Sequence, residues 1–345
     1  MHFTVRISAY VRPCVNQTFG MVMESVMNKT PLSKGSMMPE SEGLATIQTA
    51  PSAANVCAVV VAYFPDEGFE ARLQTILPQV ERLVIVDNTP DAISLSPDMI
   101  AAWGEHLHCI ANHANRGVAA ALNQGLEYAL QIGCKWLLTL DQDTRCYPDM
   151  VATLLQVHKA CKLKAAVIGG NYFDSHNHQL KVPVGGEAEY LEQITVITSG
   201  SLIDAGVARE LGNFREDYFI DQVDHEFCLR VRAYDYSVVI SCKPVMDHSV
   251  GGLGGARLPL LGILPNHPPL RKYYIARNTV VTVAKYWRRE SGWCLRRSVR
   301  LLLGLLLMAT LEKQRIAKVR AFAAGFMDGM RRRMGPCCRE WLYRS

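Results

Sequence analysis

Lys135-Trp-Leu-Leu-Thr-Leu-Asp-Gln-Asp143 is the stretch on which the reading of this chain turns. Its apolar part reads as a buried strand, and it closes on two aspartates. Residues i and i+2 of a strand project to the same side, so Asp141 and Asp143 stand next to each other, roughly 7 Å apart at their Cα atoms. Two like charges at the end of an apolar strand repel and need a partner. A divalent cation carrying a phosphorylated substrate is one solution. An acidic turn that merely closes the strand is the other.

The flanking sequence has the same regularity. Val56–Ala62 (V-C-A-V-V-V-A) is a continuous apolar run, as expected of a parallel strand covered on both faces. Residues 69–77 predict a helix, 82–86 a strand ending at Asp87-Asn88, and Leu107–Ala111 a weaker strand. A helix over 118–132 stops at Gly133, a suitable C-terminal cap. After the strand 135–140 come a helix over 149–161 and a strand over 165–168. This alternation predicts the α/β class, with a mostly parallel central sheet and flanking helices. Ligands of such sheets bind at the carboxyl ends of the strands, where Tyr63, Asp87-Asn88 and Asp141 with Asp143 converge.

Beyond residue 190 the pattern changes. Residues 194–203 read as a strand broken at Ser199-Gly200, 227–233 as a helix, 237–240 as a strand and 265–269 as a linker. Everything after Leu270 reads as helical and basic. Residues 1–54 lack periodicity and are rich in Met, Ser, Thr and Pro, so we expect a disordered leader or a start codon that lies downstream. The expected division is therefore 1–54, a sheet domain over 56–262, and a basic helical region over 263–345.

The chain has 345 residues and a net charge of +5, distributed unevenly. Residues 271–345 hold 18 Lys/Arg against 4 Asp/Glu, a net of +14, and the other 270 residues carry −9. Such a tail suits phosphates. Nucleic acid is not the expected partner, because no recognition module accompanies the charge. The 11 cysteines are odd in number and show no C-x-x-C spacing, which points to buried thiols in a reducing compartment and to no zinc site. The N-terminus has no apolar core of signal-peptide length, which places the chain in the cytoplasm. Residues 301–311 are the most apolar run, but eleven helical residues span about 16 Å, half of a hydrocarbon core.

Three further groups are candidates for chemistry. Asn115-Arg116-Gly117 precedes the long helix; a glycine there would let a phosphate approach the free N–H groups, unless this is an ordinary Asn-led turn. In Phe219-Ile-Asp-Gln-Val-Asp-His-Glu226, Asp221 and Asp224 form either a helix cap or a site in which one carboxylate is a general base. His248 follows a strand, where it is either a hydrogen-bonded structural residue or a ligand that suits Mn²⁺.

In this order, V-V-V-A-Y-x-P, V-D-N, N-R-G-V-A-A-A-x-N-x-G, W-L-L-T-L-D-Q-D, T-S-G-S-L-I, F-I-D-x-V-D-x-E-x-C-L-R, H-S-V-G and Y-Y-x-x-R-N resemble the family 2 glycosyltransferases. The resemblance covers about 56–335 and is strongest to bacterial rhamnosyltransferases of surface-polysaccharide synthesis. It implies a GT-A fold, inversion, a nucleotide-diphosphate sugar donor such as dTDP-rhamnose, and Mg²⁺ or Mn²⁺. Tyr63, Pro65, Asp87 and Asn88 would hold the base and ribose, with Asp141 facing the nucleotide. Asp143 and His248 would hold the metal, and Asp224 would be the catalytic base. The broader motif E-D-x-D-L-x-x-R is altered here, with Val223 for its glutamate and Glu226 for its second aspartate. Arg277 and Asn278 lie in a signature to which the resemblance gives no role.

On this reading the basic residues Arg296, Arg297, Arg300, Arg315, Lys318, Arg320, Arg331, Arg332 and Arg333 would rest on the anionic inner leaflet, near a lipid-linked saccharide acceptor. A solvated basic helix is the alternative. Other donors (a different hexose or galactofuranose) and a non-catalytic nucleotide- or membrane-binding protein are the competing functions.

Overall fold

The computed structural model describes residues 55–175, 178–183, 186, 188–248, 257–258, 262–263 and 266–343. The expectation for residues 1–54 lies outside them, as does most of the H-S-V-G motif.

The first four large strands are β1 Val56–Ala62, β2 Arg82–Asp87, β3 Leu107–Ala111 and β4 Trp136–Asp141. Between them lie the helices α1 Phe69–Ile76, α2 Pro97–Trp103 and α3 Val118–Gln131. They pair in parallel in the order β3-β2-β1-β4. After β4 come β5 Arg145–Cys146, α4 Met150–Ala160, β6 Ala165–Asp174, β7 Gln179–Leu180 and β8 Tyr190–Gln193. Then follow β9 Ser201–Asp204, α5 Ala205–Glu210, α6 Val223–Ala233 and β10 Ser237–His248. The sheet continues from β4 through β9 and β6 to β10, with β9 antiparallel to both neighbours and β6 parallel to β10. Short strands β11 Arg257–Leu258 and β12 Gly262–Ile263 form a separate pair.

The unbroken apolar text of β1 has a simple cause. Val56, Ala58, Val60 and Ala62 join the core that α1 and α4 cover, while Cys57 and Val59 join the core beneath α3 and α6. A strand with helices on both faces has no solvent side, so it shows no alternation of polarity.

Residues 194–203 do not form one strand. Gly200 turns with φ 75°, its N–H donates to the Thr139 carbonyl, and β9 begins only at Ser201. From there β9 runs antiparallel to both β4 and β6. The helix expected over 227–233 starts earlier, at Val223, which puts Asp224 in its first turn.

Three helices complete the chain: α7 Pro269–Tyr286, α8 Ser291–Leu311 and α9 Arg315–Met330. Residues 51–345 pack as one compact unit. Gly325 and Gly329 let α9 press onto α7, since a Cβ at Gly325 would overlap the Tyr273 carbonyl oxygen and one at Gly329 would lie 2.7 Å from that of Arg277. No helix among the described residues is long and apolar enough to cross a membrane.

Candidate active site

Register brings the β1 and β4 ends together, with Val61 opposite Asp141. Gln142 points away from its two neighbours: its Oε1 accepts the Tyr63 N–H at 2.6 Å, and its carbonyl accepts from Arg72 Nε at 2.7 Å. Asp141 and Asp143 therefore share the other side.

His248 reaches them from more than 100 residues away through strand pairing. Directly after the Asp-x-Asp turn, β5 runs antiparallel to the end of β10, with Arg145 opposite Asp247 and Cys146 opposite Met246. This sets the imidazole between the carboxylates, with Nε2 3.7 Å from Asp141 Oδ2 and Nδ1 3.5 Å from Asp143 Oδ1. Thr144 Oγ1 holds the ring at Nδ1, 3.2 Å away, and itself contacts Ser199 Oγ at 2.5 Å. A partner on Nδ1 leaves Nε2 to face a ligand, the usual outer-shell support of a metal histidine.

Among the described residues, Asp141, Asp143 and His248 form a group whose ligand atoms all lie within 4.8 Å of one another. Two carboxylates and one imidazole at this spacing suit a hard or borderline divalent cation. Burial raises the Asp141 carboxyl above its ordinary range; His248 opposes this, while Asp143 and Asp224 push it further up. The interaction with Asp224 places the first turn of α6 within electrostatic reach of the cluster.

Asp221 does not cap α6. Asp221 and Gln222 are both left-handed (φ 63° and 65°), Gln222 occupies the cap position, and no side chain caps the helix. The Asp221 carboxylate instead meets Arg271 Nε at 3.3 Å. Its carboxyl is raised by burial, against the opposing charge of Arg271. Asp224 Oδ1 accepts the His225 N–H at 2.7 Å and lies 3.6 Å from His225 Nδ1. Burial holds the His225 imidazole below its usual range.

Glu226 lies elsewhere. It is fully buried against α7, where Lys285 Nζ and the Tyr286 hydroxyl meet Oε1 at 2.8 and 2.9 Å and Arg230 Nη2 meets Oε2 at 3.0 Å. It ties α6 to α7.

Arg277 and Asn278 acquire a clear position. Arg277 Nη2 donates to the Asp217 and Tyr218 carbonyls at 3.0 Å, and its Nε donates to Asn278 Oδ1 at 2.9 Å. Asn278 Nδ2 faces the carbonyls of Tyr218, Ile220 and Asp221 at 2.9, 2.8 and 2.9 Å. Both residues brace the turn that leads into Asp224.

At the other strand ends the polar residues are engaged in loops. Asp87 accepts the Thr89 and Ile93 N–H groups, each at 2.8 Å. Asn88 binds the Gly117 carbonyl and Asn112. Asn115 Oδ1 accepts the Gly117 N–H. Gly117 (φ 86°) makes room for Phe219, because a Cβ there would lie 2.6 Å from the Phe219 carbonyl oxygen. Pro65 and Arg116 lie on the turns beside them, and the ring of Tyr63 is exposed.

Arg297 and Lys318 do not belong with the outward-facing cations. Lys318 is buried and paired with Glu312 at 2.7 Å. Arg297 turns inward to the Gln222 side chain and interacts with Asp224 and Asp221. Neither Arg297 nor Arg271 stood out in the sequence as a site residue. Both lie in long helices with many other cations, so nothing local marks them.

Residues 54–198 match the model of the family described as Glycosyl transferase family 2. Over these residues the chain is similar to the family 2 glycosyltransferases. The chain is 28% identical over 300 residues to the dTDP-rhamnosyl transferase RfbF of Shigella flexneri, covering 80% of this chain and 96% of that protein. The crystal structure of S. aureus TarS 1-349 superposes with a TM-score of 0.53 at 11% identity, over 81% of this chain and 82% of that one. That likeness concerns the fold, which is GT-A. The protein is a glycosyltransferase, and its Asp-x-Asp and His248 cluster fits a divalent metal.

Proposed function

We propose that this glycosyltransferase moves L-rhamnose from dTDP-rhamnose, with inversion, onto a lipid-linked saccharide acceptor of cell-surface polysaccharide synthesis such as O-antigen. The observation that carries the reading is the meeting of Asp141, Asp143 and His248 at the carboxyl ends of β4 and β10, with Asp224 in reach at the start of α6. The choice of rhamnose is supported by the dTDP-rhamnosyl relative.

Asp143 and His248 would hold Mg²⁺ or Mn²⁺, with Asp141 toward the nucleotide. The cation supplies charge neutralisation on the donor diphosphate. The exposed Tyr63 ring offers a face for the base, beside Pro65. Asp87, Asn88 and Asn115 shape the ribose side, and Arg116 with Gly117 borders the phosphates. The Asp224 carboxylate takes the proton of the acceptor hydroxyl as its oxygen bonds to the anomeric carbon. The nucleoside diphosphate leaves from the opposite face with the electron pair of its C–O bond, so configuration inverts. Arg271 and Arg297 balance the negative charge of Asp221 and Asp224 while the reactants are positioned. In this division residues 56–262 bind donor and metal, and 263–345 brace the base turn. We place the enzyme in the cytoplasm, peripheral on the inner face of the membrane.

The test is a donor panel with the purified enzyme, Mg²⁺ or Mn²⁺, and acceptors with and without a lipid, read by nucleotide release. Metal-dependent dTDP release from dTDP-rhamnose is expected. Faster turnover of another hexose or galactofuranose donor would overturn the sugar assignment. Donor binding without turnover of any donor would overturn the catalytic one.

A further inference from the structure

Helix α8 has two apolar sides, one buried and one open. Leu295, Val299, Leu302 and Leu306 recur at i, i+4, i+7 and i+11, and therefore share one side. That side is open: Leu302 is 63% exposed and Leu306 59% exposed. Leu303 borders the same stripe. The opposite side packs inward, with Cys294 and Met308 buried and Leu301 and Leu305 against Ala276 and Phe322. Arg297 is two residues from both Leu295 and Val299, about 200° around the helix, and this is why it points to the catalytic base turn.

Charge settles what would cover the apolar stripe. From Ser291 to Leu311 the helix contains three arginines and no acidic residue. Arg296 and Arg300 lie to one side of the stripe, roughly 90–130° around the helix from its centre, exposed and without an ion pair among the described residues. Arg315, Arg331, Arg332 and Arg333 are likewise exposed beyond it. A second copy on this face would bring like charges together, whereas an anionic lipid surface would neutralise them. An apolar stripe with arginines beside it, on a helix that cannot span a bilayer, is the pattern of a helix lying in the membrane interface.

We propose that α8 is an in-plane docking helix: its leucine stripe enters the headgroup region of an anionic membrane while Arg297, on its other side, faces Asp224. The catalytic base then stands about one helix diameter, roughly 10 Å, from the lipid surface, within reach of a lipid-linked acceptor. This deepens the proposed reading by naming the surface that meets the membrane. Vesicle binding itself does not depend on which sugar is moved.

The experiment is flotation of the full chain with phosphatidylglycerol:phosphatidylcholine (1:1) vesicles and with pure phosphatidylcholine. The wild type is expected to float with the anionic vesicles and to be released by high salt. Leu302→Asp/Leu306→Asp should lower the bound fraction at least about tenfold, as expected for two apolar side chains withdrawn from the interface. Arg296→Glu/Arg300→Glu should abolish the preference for anionic lipid. Both variants should keep wild-type turnover of a water-soluble acceptor, a readout that separates failure of docking from failure of the enzymatic reading. Wild-type chain that stays out of anionic vesicles would overturn the proposal. So would variants that float as the wild type does, or a leucine variant that converts a dimer to a monomer without changing vesicle binding.

Discussion

The side-chain amide nitrogen of Asn278 lies 2.9 Å from the backbone carbonyl oxygen of Asp221. The same amide serves Tyr218 and Ile220, so one fully buried side chain holds a turn in which Phe219, Asp221 and Gln222 all have φ above 60°. Left-handed backbone costs roughly 1–2 kcal/mol per non-glycine residue, so the turn persists only while the surroundings impose it. Asn278→Ala leaves buried carbonyls unsatisfied and should destabilise the protein by about 1–3 kcal/mol. It should also lower turnover by displacing Asp224, with Mn²⁺ affinity unchanged. Thermal denaturation together with steady-state kinetics checks both; a full loss of metal binding would count against the brace.

The metal cluster predicts a graded series. His248→Ala and Asp143→Ala should each weaken Mn²⁺ binding strongly. Thr144→Val, which removes only the hydroxyl at His248 Nδ1, should weaken it by about tenfold. Calorimetric titration with Mn²⁺ gives the order, and His248→Ala with wild-type affinity would remove the histidine from the site.

Asp224→Asn keeps the shape of the carboxylate but cannot take a proton. Turnover should fall by about 10²–10⁴ while donor affinity stays within a few fold of wild type. Stopped turnover with intact nucleotide-sugar binding is the expected signature.

His267 gives the protein a sensitivity to acid. Burial, with Arg271, Lys272 and Lys318 adding to it, pushes its imidazole down to about 3. The unfolded chain takes up that proton near pH 6.5. Between about 6.5 and 3 the unfolded state therefore binds more protons, and the folded state loses stability as pH falls. Urea denaturation at a series of pH values should show a shallower decline for His267→Gln than for the wild type.

Gly325→Val tests the packing of α9 on α7. A side chain there meets backbone at Tyr273, and overpacking of this kind typically costs about 1–3 kcal/mol. The melting temperature should drop, and with it activity, because α7 carries the Asn278 brace.

Much of the site was legible in local text. Asp141 and Asp143 announce themselves by standing two apart at the end of a strand that has no polar face, and Tyr63 and Asp87 end strands of the same kind. The break at Ser199-Gly200 was visible, but its consequence was not. Where β9 begins is set by the hydrogen bond from Gly200 to Thr139, a partner 61 positions earlier.

The sequence by itself determined the α/β class, the parallel strands and the acidic pair, because each follows from an unbroken apolar run, a period of 3.6 residues or a residue at a strand end. Only tertiary structure decided that His248 meets that pair through β5, that Asn278 braces the turn before Asp224, and that Arg296 faces outward while Arg297 faces the base. These depend on which strand lies beside which and on which side α8 presents to α7 and α9. Two adjacent arginines look alike in a sequence; the packing of one helix separates them.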